Sequence, residues 1–374
     1  MNVVVIGGGM VGAAAALALA KQNHTVTVIE AAAEVASAGD WDLRISSVHL
    51  ANVRWLQQLG VWQGVRQARV FDYHELAVQS RDGQRLTFSA AEVGEQHLGA
   101  MVENNALQVA LWAQLRAHNV RVLPATRVTQ FNISHKTLSL DNGETRDYDL
   151  LVGADGANSQ VAKAAHIGTR GWDYDVRCLL AIANVEQPIA PATWEVFRAN
   201  GPYALLPLGA HQACLIDYRS EQEWQQLSAN QAAVEQALAT TFMPHIGAHT
   251  VHRFASFPLR RQRALRYHAA DSVVLVGDAA HSIHPLAGQG VNLGFADVQT
   301  LARQLAEQPL AAALRTYEQL RMQENQQMMR AMDAIHVGFR SEHLLPRGIV
   351  AAGLTLVDNV PLLKQALIRR AIGV

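Results

Sequence analysis

Two cysteines in 374 residues, Cys178 and Cys214, are too few for a disulfide framework. Such low thiol usage fits a reducing, cytoplasmic setting, and both positions read as buried filler rather than reactive groups. Excess charge of either sign is also missing, since 31 basic and 32 acidic residues leave a formal net charge of −1. A nucleic-acid binder needs a basic face to meet phosphates, so no nucleic acid is expected as a partner. Long apolar runs are absent too. The nearest candidate, Ile349 to Val357, is far shorter than the ~20 residues that span a bilayer. No cationic segment precedes the first apolar run and glycines interrupt it at once, so no signal peptide is expected and any membrane contact is peripheral. The chain shows no internal repeat and no low-complexity linker. His281 and His284 stand three positions apart with no further ligand cluster near them, so no metal site is expected.

What the chain does have is enough apolar residue, 49%, to bury a large core. Its length exceeds that of one compact domain, and two lobes with a tail are expected. Val3 to Ile6 is a β-branched run of the kind buried on both faces of a parallel sheet. Gly7-Gly8-Gly9-Met10-Val11-Gly12 follows, then an alanine- and leucine-rich helix, then a second strand over Val26 to Glu30. Strand, tight turn, helix and strand make a βαβ unit. In G-x-G-x-x-G, Gly7 permits the turn, Gly9 lets backbone approach a pyrophosphate, and Gly12 lets the helix pack closely. The helix start, with Val11, turns its positive dipole end toward phosphates. Glu30 closes the second strand, where a carboxylate accepts ribose hydroxyls. This unit binds a dinucleotide without saying which one.

A second cluster selects the flavin. Val274-Leu275-Val276-Gly277-Asp278 is a strand ending in Gly-Asp, followed by Pro285-Leu286-Ala287-Gly288-Gln289-Gly290-Val291-Asn292. A carboxylate at a strand's carboxyl end bonds a ribityl hydroxyl. The glycines open a helix whose amides face flavin N1 and the C2 carbonyl, where reduced flavin carries negative charge. A plain NAD dehydrogenase has no use for this second motif. Between the two motifs, residues 104 to 117 have helical spacing, with Leu107, Leu111 and Leu115 on one stripe. Short strands follow to about Val152, with Asn142-Gly143 as a hairpin turn. Residues 176 to 258 read as strands around one helix near 227–242, and the chain is mostly helical from 291.

These residues resemble the group A flavoprotein monooxygenases, in which the late Gly-Asp binds the FAD ribityl chain. A third element agrees: Asp149 to Ser159 contains Asp155-Gly156, a pair that in the family helps hold FAD and takes part in the transient visit of NAD(P)H. Where relatives usually carry an arginine this chain has Ala162, with Lys163 beside it. Within the family the likeness narrows to the ubiquinone-biosynthesis hydroxylases. Asp42-Leu43-Arg44-Ile45-Ser46 is similar to their segment beside the flavin, and Arg44 would lie near the cofactor. Met101 to Gln108 resembles their helix start, with Gln108 at a pyrophosphate-contacting position, and Gly201 to Leu208 resembles their substrate-side strand.

The resemblance covers essentially the whole chain and implies an α/β fold like that of para-hydroxybenzoate hydroxylase. A discontinuous Rossmann-type FAD-binding domain would take 1–70, 96–175 and 259–330. A β-rich substrate lobe would take 71–95 and 176–258, and a helical segment 331–374. It implies NAD(P)H or another donor reducing FAD, O2 as co-substrate, and a flavin C4a-hydroperoxide that passes OH to a prenylated benzoquinol, at the last ring hydroxylation of the pathway. No catalytic side chain is assigned, because the flavin carries the chemistry while the protein positions the ring and excludes water.

Candidates for the substrate side are Trp194, Phe197, Tyr203, Leu205, Leu206 and Phe257, with His284 and Pro285 at the flavin motif. Any β-rich lobe would also use most of these as core. His281 reads as an ordering residue as readily as a base. Alternatives are a sister hydroxylase for another ring position, a soluble phenolic hydroxylase that would want an arginine anchor such as Arg198, and a flavin-binding subunit without turnover. The apolar stretch 346–374, interspersed with Lys364, Arg369 and Arg370, is expected to pack on its own domain or a partner rather than on a membrane surface. A biosynthetic complex and a homo-oligomer are the expected assemblies.

Overall fold

The computed structural model describes residues 1–34, 39–198, 201–282, 290–340 and 344–374, without the side chains of 172, 174, 260, 331–347 and 349. Asn2–Ile6 is the pivot of a six-stranded sheet. It pairs in parallel with Thr25–Ile29 on one side and with Leu150–Gly153 on the other, Val5 facing both Val28 and Val152. Arg121–Leu123 extends the sheet beyond Thr25–Ile29, and Val273–Leu275 extends it beyond Leu150–Gly153. Val3, Val5, Val28, Leu150 and Val274 are fully buried, as a sheet covered on both faces requires. Only the edge strand His268–Ala269 runs antiparallel. The late strand thus returns to the first sheet beside Leu150–Gly153, bringing Gly277 near the N-terminal glycine turn.

Helix Met10–Ala20 packs on helices Asn104–Ala117 and Gly290–Glu307. Leu107, Leu111 and Leu115 are fully buried on one side of their helix, as their spacing predicts. The hairpin turn at Asn142-Gly143 joins Thr137–Leu140 to Thr145–Asp147, with Gly143 at φ +84°.

The second large sheet has eight strands. Thr169–Val185 and His249–Ala264 are its long members, and they run unbroken across the boundaries expected near 175 and 258. Gln212–Ser220, Tyr203–Gly209 and Ala192–Val196 follow in order, then Glu75–Gln79 and Arg85–Ser89, contributed from early in the chain. A small sheet of Ile45–His49, Gly99–Glu103 and Val70–Tyr73 lies between the two large ones. Two helices, Glu221–Ser228 and Gln231–Ile246, replace the single one expected near 227–242. A Ser220/Glu223 capping box starts the first, and the Asn230 side chain, accepting from the Ala232 amide, starts the second.

Helix Leu310–Arg340 runs through position 331, where a separate segment was expected to begin. Helices Leu344–Asn359 and Pro361–Ile372 close the chain. Ile368 and Ile372 pack into the core shared with the eight-stranded sheet, while Leu356, Leu362 and Leu367 stay exposed. No helix among the described residues is long and apolar enough to cross a membrane.

Candidate functional site

The turn after Asn2–Ile6 accepts nothing but glycine at two positions. Gly7 has φ +100°, and a Cβ there would stand 2.4 Å from the Ala154 carbonyl oxygen. A Cβ at Gly12 would lie 1.9 Å from the Gly7 carbonyl oxygen, so the close packing expected of Gly12 is against the turn itself. At Gly9 the opposite holds: nothing lies within 4 Å of such an atom. Helix Met10–Ala20 starts there with no side-chain cap and no acidic residue in its first turn. Its unpaired amides therefore face open space with the positive end of the dipole.

The turn is held from behind. Glu30 accepts the amides of Gly8 at 2.6 Å and Ala32 at 2.7 Å. Gln108 Nε2 and Trp112 Nε1 both donate to the Gly8 carbonyl, at 2.9 and 2.7 Å. Both residues expected near the nucleotide, Glu30 and Gln108, are thus brought to the turn. Sequence reasoning missed Trp112, whose only signal is its place one helical turn after Gln108.

The late motif meets this turn from across the sheet. Gly277 takes φ +60°, and Val11 packs against both it and Gly294, where a Cβ would come within 2.5 Å of Val11 Cγ2. Asp278 opens onto the intervening space yet is surrounded by protein, and desolvation pushes its carboxyl above the ordinary value. Gly290 and Val291 begin helix Gly290–Glu307 on the same space. Below the motif lies a buried network. The Asp297 carboxylate accepts from the Gly277 amide at 2.9 Å and from Arg321 Nε at 2.7 Å, and pairs with His281 Nε2 at 2.5 Å. Burial alone would push this carboxyl up. His281 and Arg321 outweigh that and hold it below the usual carboxylate value. His281 is thereby an ordering residue.

Two expected contacts are already engaged elsewhere. Asp155 accepts Ser159 Oγ at 2.5 Å and the amides of Gln160 and Val161, which caps helix Gln160–Ala164; its neighbour Gly156 lines the space. The Asn292 side chain donates to the Ser47 carbonyl and accepts from the His49 amide and Asn52, tying its helix to Ile45–His49. Ala162 is buried in the core, and Lys163 beside it is exposed. His284, Pro285 and Gly288 lie outside the described residues.

Between the motifs and the eight-stranded sheet is a cavity of about 330 Å3. Gly9, Val11, Asp278 and Val291 form its flavin-motif side. Cys178, Leu180, Ile216, Tyr218 and Phe257 form its sheet side, and Arg44, largely exposed, stands at its edge with Ile45 and Ser46. Strand alternation corrects the expected substrate side. Trp194, Tyr203 and Leu205 point away from the cavity and pack with Phe242 of helix Gln231–Ile246, because they occupy the other set of alternate positions. Leu206 faces the inner side but belongs to the core behind the cavity, and Phe197 is buried at the end of Ala192–Val196. Of the expected aromatic set, Phe257 reaches the cavity. Cys178 and Tyr218, which sequence reasoning did not place there, lie beside it: Cys178 is cross-strand partner to both Phe257 and Tyr218. Arg198 is no anchor either. It pairs with the buried Asp217 on the outer face and stacks over Tyr203.

This pairing of an open glycine turn with a Gly-Asp turn over one cavity is what an extended dinucleotide needs, and a family model described as an FAD binding domain matches residues 1–332. The chain belongs to this FAD-binding family. FAD is therefore its cofactor, and the residues fit it: free amides at the helix start, no Cβ in the way at Gly9, and a carboxylate at Asp278. The flavoprotein is 38% identical to "3-demethoxyubiquinol 3-hydroxylase" of Escherichia coli (strain K12), over 100% of this chain and 98% of that one. It is 32% identical to "Ubiquinone hydroxylase UbiL" of Rhodospirillum rubrum, covering 100% of this chain and 89% of the relative. Among solved structures, p-nitrophenol 4-monooxygenase PnpA from Pseudomonas putida DLL-E4 superposes with a TM-score of 0.82 at 17% identity, over 99% of this chain and 97% of that one. PqsL from Pseudomonas aeruginosa gives 0.78 at 23% identity, over 95% and 99%. At these identities the structures speak for the fold.

Proposed function

We propose that this chain is an FAD-dependent monooxygenase that hydroxylates a prenylated benzoquinol in ubiquinone biosynthesis, at the last ring hydroxylation. The reading rests on full-length likeness to a hydroxylase of that name. The cavity supports it: the flavin motifs face a sheet wall of Cys178, Leu180, Ile216, Tyr218 and Phe257, with no basic residue among the described members of that wall, and the lining's cation, Arg44, stands apart at the edge, largely in solvent. A phenolic acid would need a cation there, and Arg198 is spent on Asp217. An electron-rich ring with an apolar tail suits such a wall.

When bound, FAD would take electrons from NAD(P)H or another donor and activate O2, one oxygen atom entering the ring and the other leaving as water. The chain's own residues bind and orient. The first amides after Gly9 would hold the pyrophosphate, Glu30 the adenosine ribose, Asp278 the ribityl chain, and Gly290-Val291 the flavin's carbonyl end. Arg44 covers the cavity edge, and the apolar sheet wall excludes water from the reacting ring. The enzyme works in the cytoplasm, at most peripheral to the inner membrane, as a homo-oligomer or within a biosynthetic complex. The test is genetic and chemical. Deleting the gene should remove ubiquinone and accumulate a demethoxy intermediate; normal ubiquinone without that intermediate refutes the substrate assignment.

A further inference from the structure

One carboxyl near the cavity has no role in the machinery above. Glu195 sits on Ala192–Val196 and is 7% exposed, with Oε1 buried and without a hydrogen-bond partner. The register fixes which way it points. Glu195 faces Ala204, Ala204 faces Ile216, and Ile216 faces Leu180, so all four share the inner face of the eight-stranded sheet. Leu180 and Ile216 line the cavity, as does Tyr218 two positions further along its strand. With strands spaced about 4.8 Å apart, Glu195 and Tyr218 are anchored roughly 12 Å from each other, and the small Ala204 leaves their side chains room to approach. Burial is the main reason the Tyr218 phenol and the Cys178 thiol are held up, and a charge on Glu195 adds to both.

We propose that Glu195 is a positioning residue for the ring hydroxyl, acting through Tyr218: the carboxyl stands behind the cavity wall and sets how readily an ionising ring is accepted there. This rests on the substrate class proposed above. An electrophilic oxygen attacks a ring faster as the ring hydroxyl gives up its proton, so a negative charge in the wall opposes the reaction. Burial, with no countercharge to offset it, pushes the Glu195 carboxyl up to about 8. At neutral pH the wall is therefore uncharged, and it becomes anionic as pH rises past that value. Among the described residues the titratable groups sharing the inner face are Cys178, Cys214 and Tyr218, with Tyr73 in the same core from the small sheet, while the guanidinium of Arg253, cross-strand from Ile182, is the fixed cation of that face and donates to the Trp41 carbonyl. The two thiols and two phenols are held well above neutrality and stay uncharged through this range. Asp217, with Arg198 and Arg219, lies on the outer face. Among the described residues Glu195 is the inner-face acid left to titrate; Asp278, whose carboxyl burial also pushes up, lines the cavity from the flavin-motif side and is shared by wild type and variant.

The experiment uses FAD-loaded protein and 2,4-dinitrophenolate, a ring anion that stays ionised throughout, with affinity measured at pH 7 and pH 9. Two unit charges about 10 Å apart in a partly buried site interact strongly enough to change affinity on the order of tenfold. Wild type should lose about that factor between the two pH values, Glu195→Gln should stay flat, and Glu195→Asp should regain the loss. An equal loss in wild type and Glu195→Gln, or a flat wild type, overturns the proposal. A second readout needs neither probe nor substrate. Infrared difference spectra of the wild type should show a protonated carboxylic acid that ionises near pH 8 and is missing in Glu195→Gln. An ionised Glu195 at neutral pH overturns the proposal even if the probe does not bind. Failure to hydroxylate a prenylated quinol would count against the substrate assignment alone, since both readouts are independent of it.

Discussion

Asp297→Asn isolates the network that holds the flavin's Gly-Asp turn. The side chain is fully buried, and its two oxygens receive Gly277 N–H, His281 Nε2 and Arg321 Nε. Asparagine keeps the shape but has one acceptor, so its NH2 must face a donor whichever way the amide is turned. Arg321, itself nearly buried, keeps the neutral Asn325 Oδ1 but is left with Glu324, largely in solvent, as its carboxylate. Breaking one partner out of a buried ion pair costs about 3–5 kcal/mol. For a chain of this length that corresponds to a fall in Tm of about 4–6 °C. Because either orientation of the amide weakens the network beside Asp278, FAD affinity should fall about tenfold as well. Thermal unfolding with and without FAD gives the first number and flavin fluorescence titration the second. Adding Arg321→Met should recover part of the stability, since it removes the stranded charge. A Tm within 2 °C of wild type together with unchanged FAD affinity would refute the assignment of the turn to this network.

Gly9→Asp should yield colourless protein that folds, because the added carboxylate has room but faces the pyrophosphate; retained yellow flavin would show the placement to be wrong. Leu205→Ala should cost about 2–5 kcal/mol while leaving the quinol KM alone, since Leu205 packs toward Phe242. Phe257→Ala should do the reverse, and urea melts beside steady-state kinetics separate the two. His49 is pushed down to about 4 by desolvation, with its own backbone opposing weakly. A histidine whose folded value lies below its unfolded one leaves stability intact above about pH 6.5 and removes up to about 3 kcal/mol as pH falls toward 4. His49→Asn keeps an acceptor for the Asn52 amide and should flatten that acid slope.

Features written in contiguous residues were legible from sequence. The run Val3 to Ile6, the glycines that follow it and the strand before Gly277 each fix local backbone through sterics and burial, so the glycine turn and the Gly277-Asp278 turn stand where the sequence places them. The stripe Leu107, Leu111, Leu115 marked its helix for the same reason. Interruptions were less legible: the break at Asn230 depends on a cap, and a cap shows only against known helix ends.

The sequence alone determined the cofactor, because an FAD site is built mainly from backbone amides and glycine space, and those are local properties. Tertiary structure decided which side chains face the substrate. In a strand, neighbours point to opposite faces, and apolar composition does not say which face meets the cavity. Trp194, Tyr203 and Leu205 were expected at the cavity and Cys178 and Tyr218 were not, yet one residue of register separates the two sets. The pairing of Asp297 with Gly277, and of Glu195 with the cavity wall, likewise exists only once distant strands and helices are brought together.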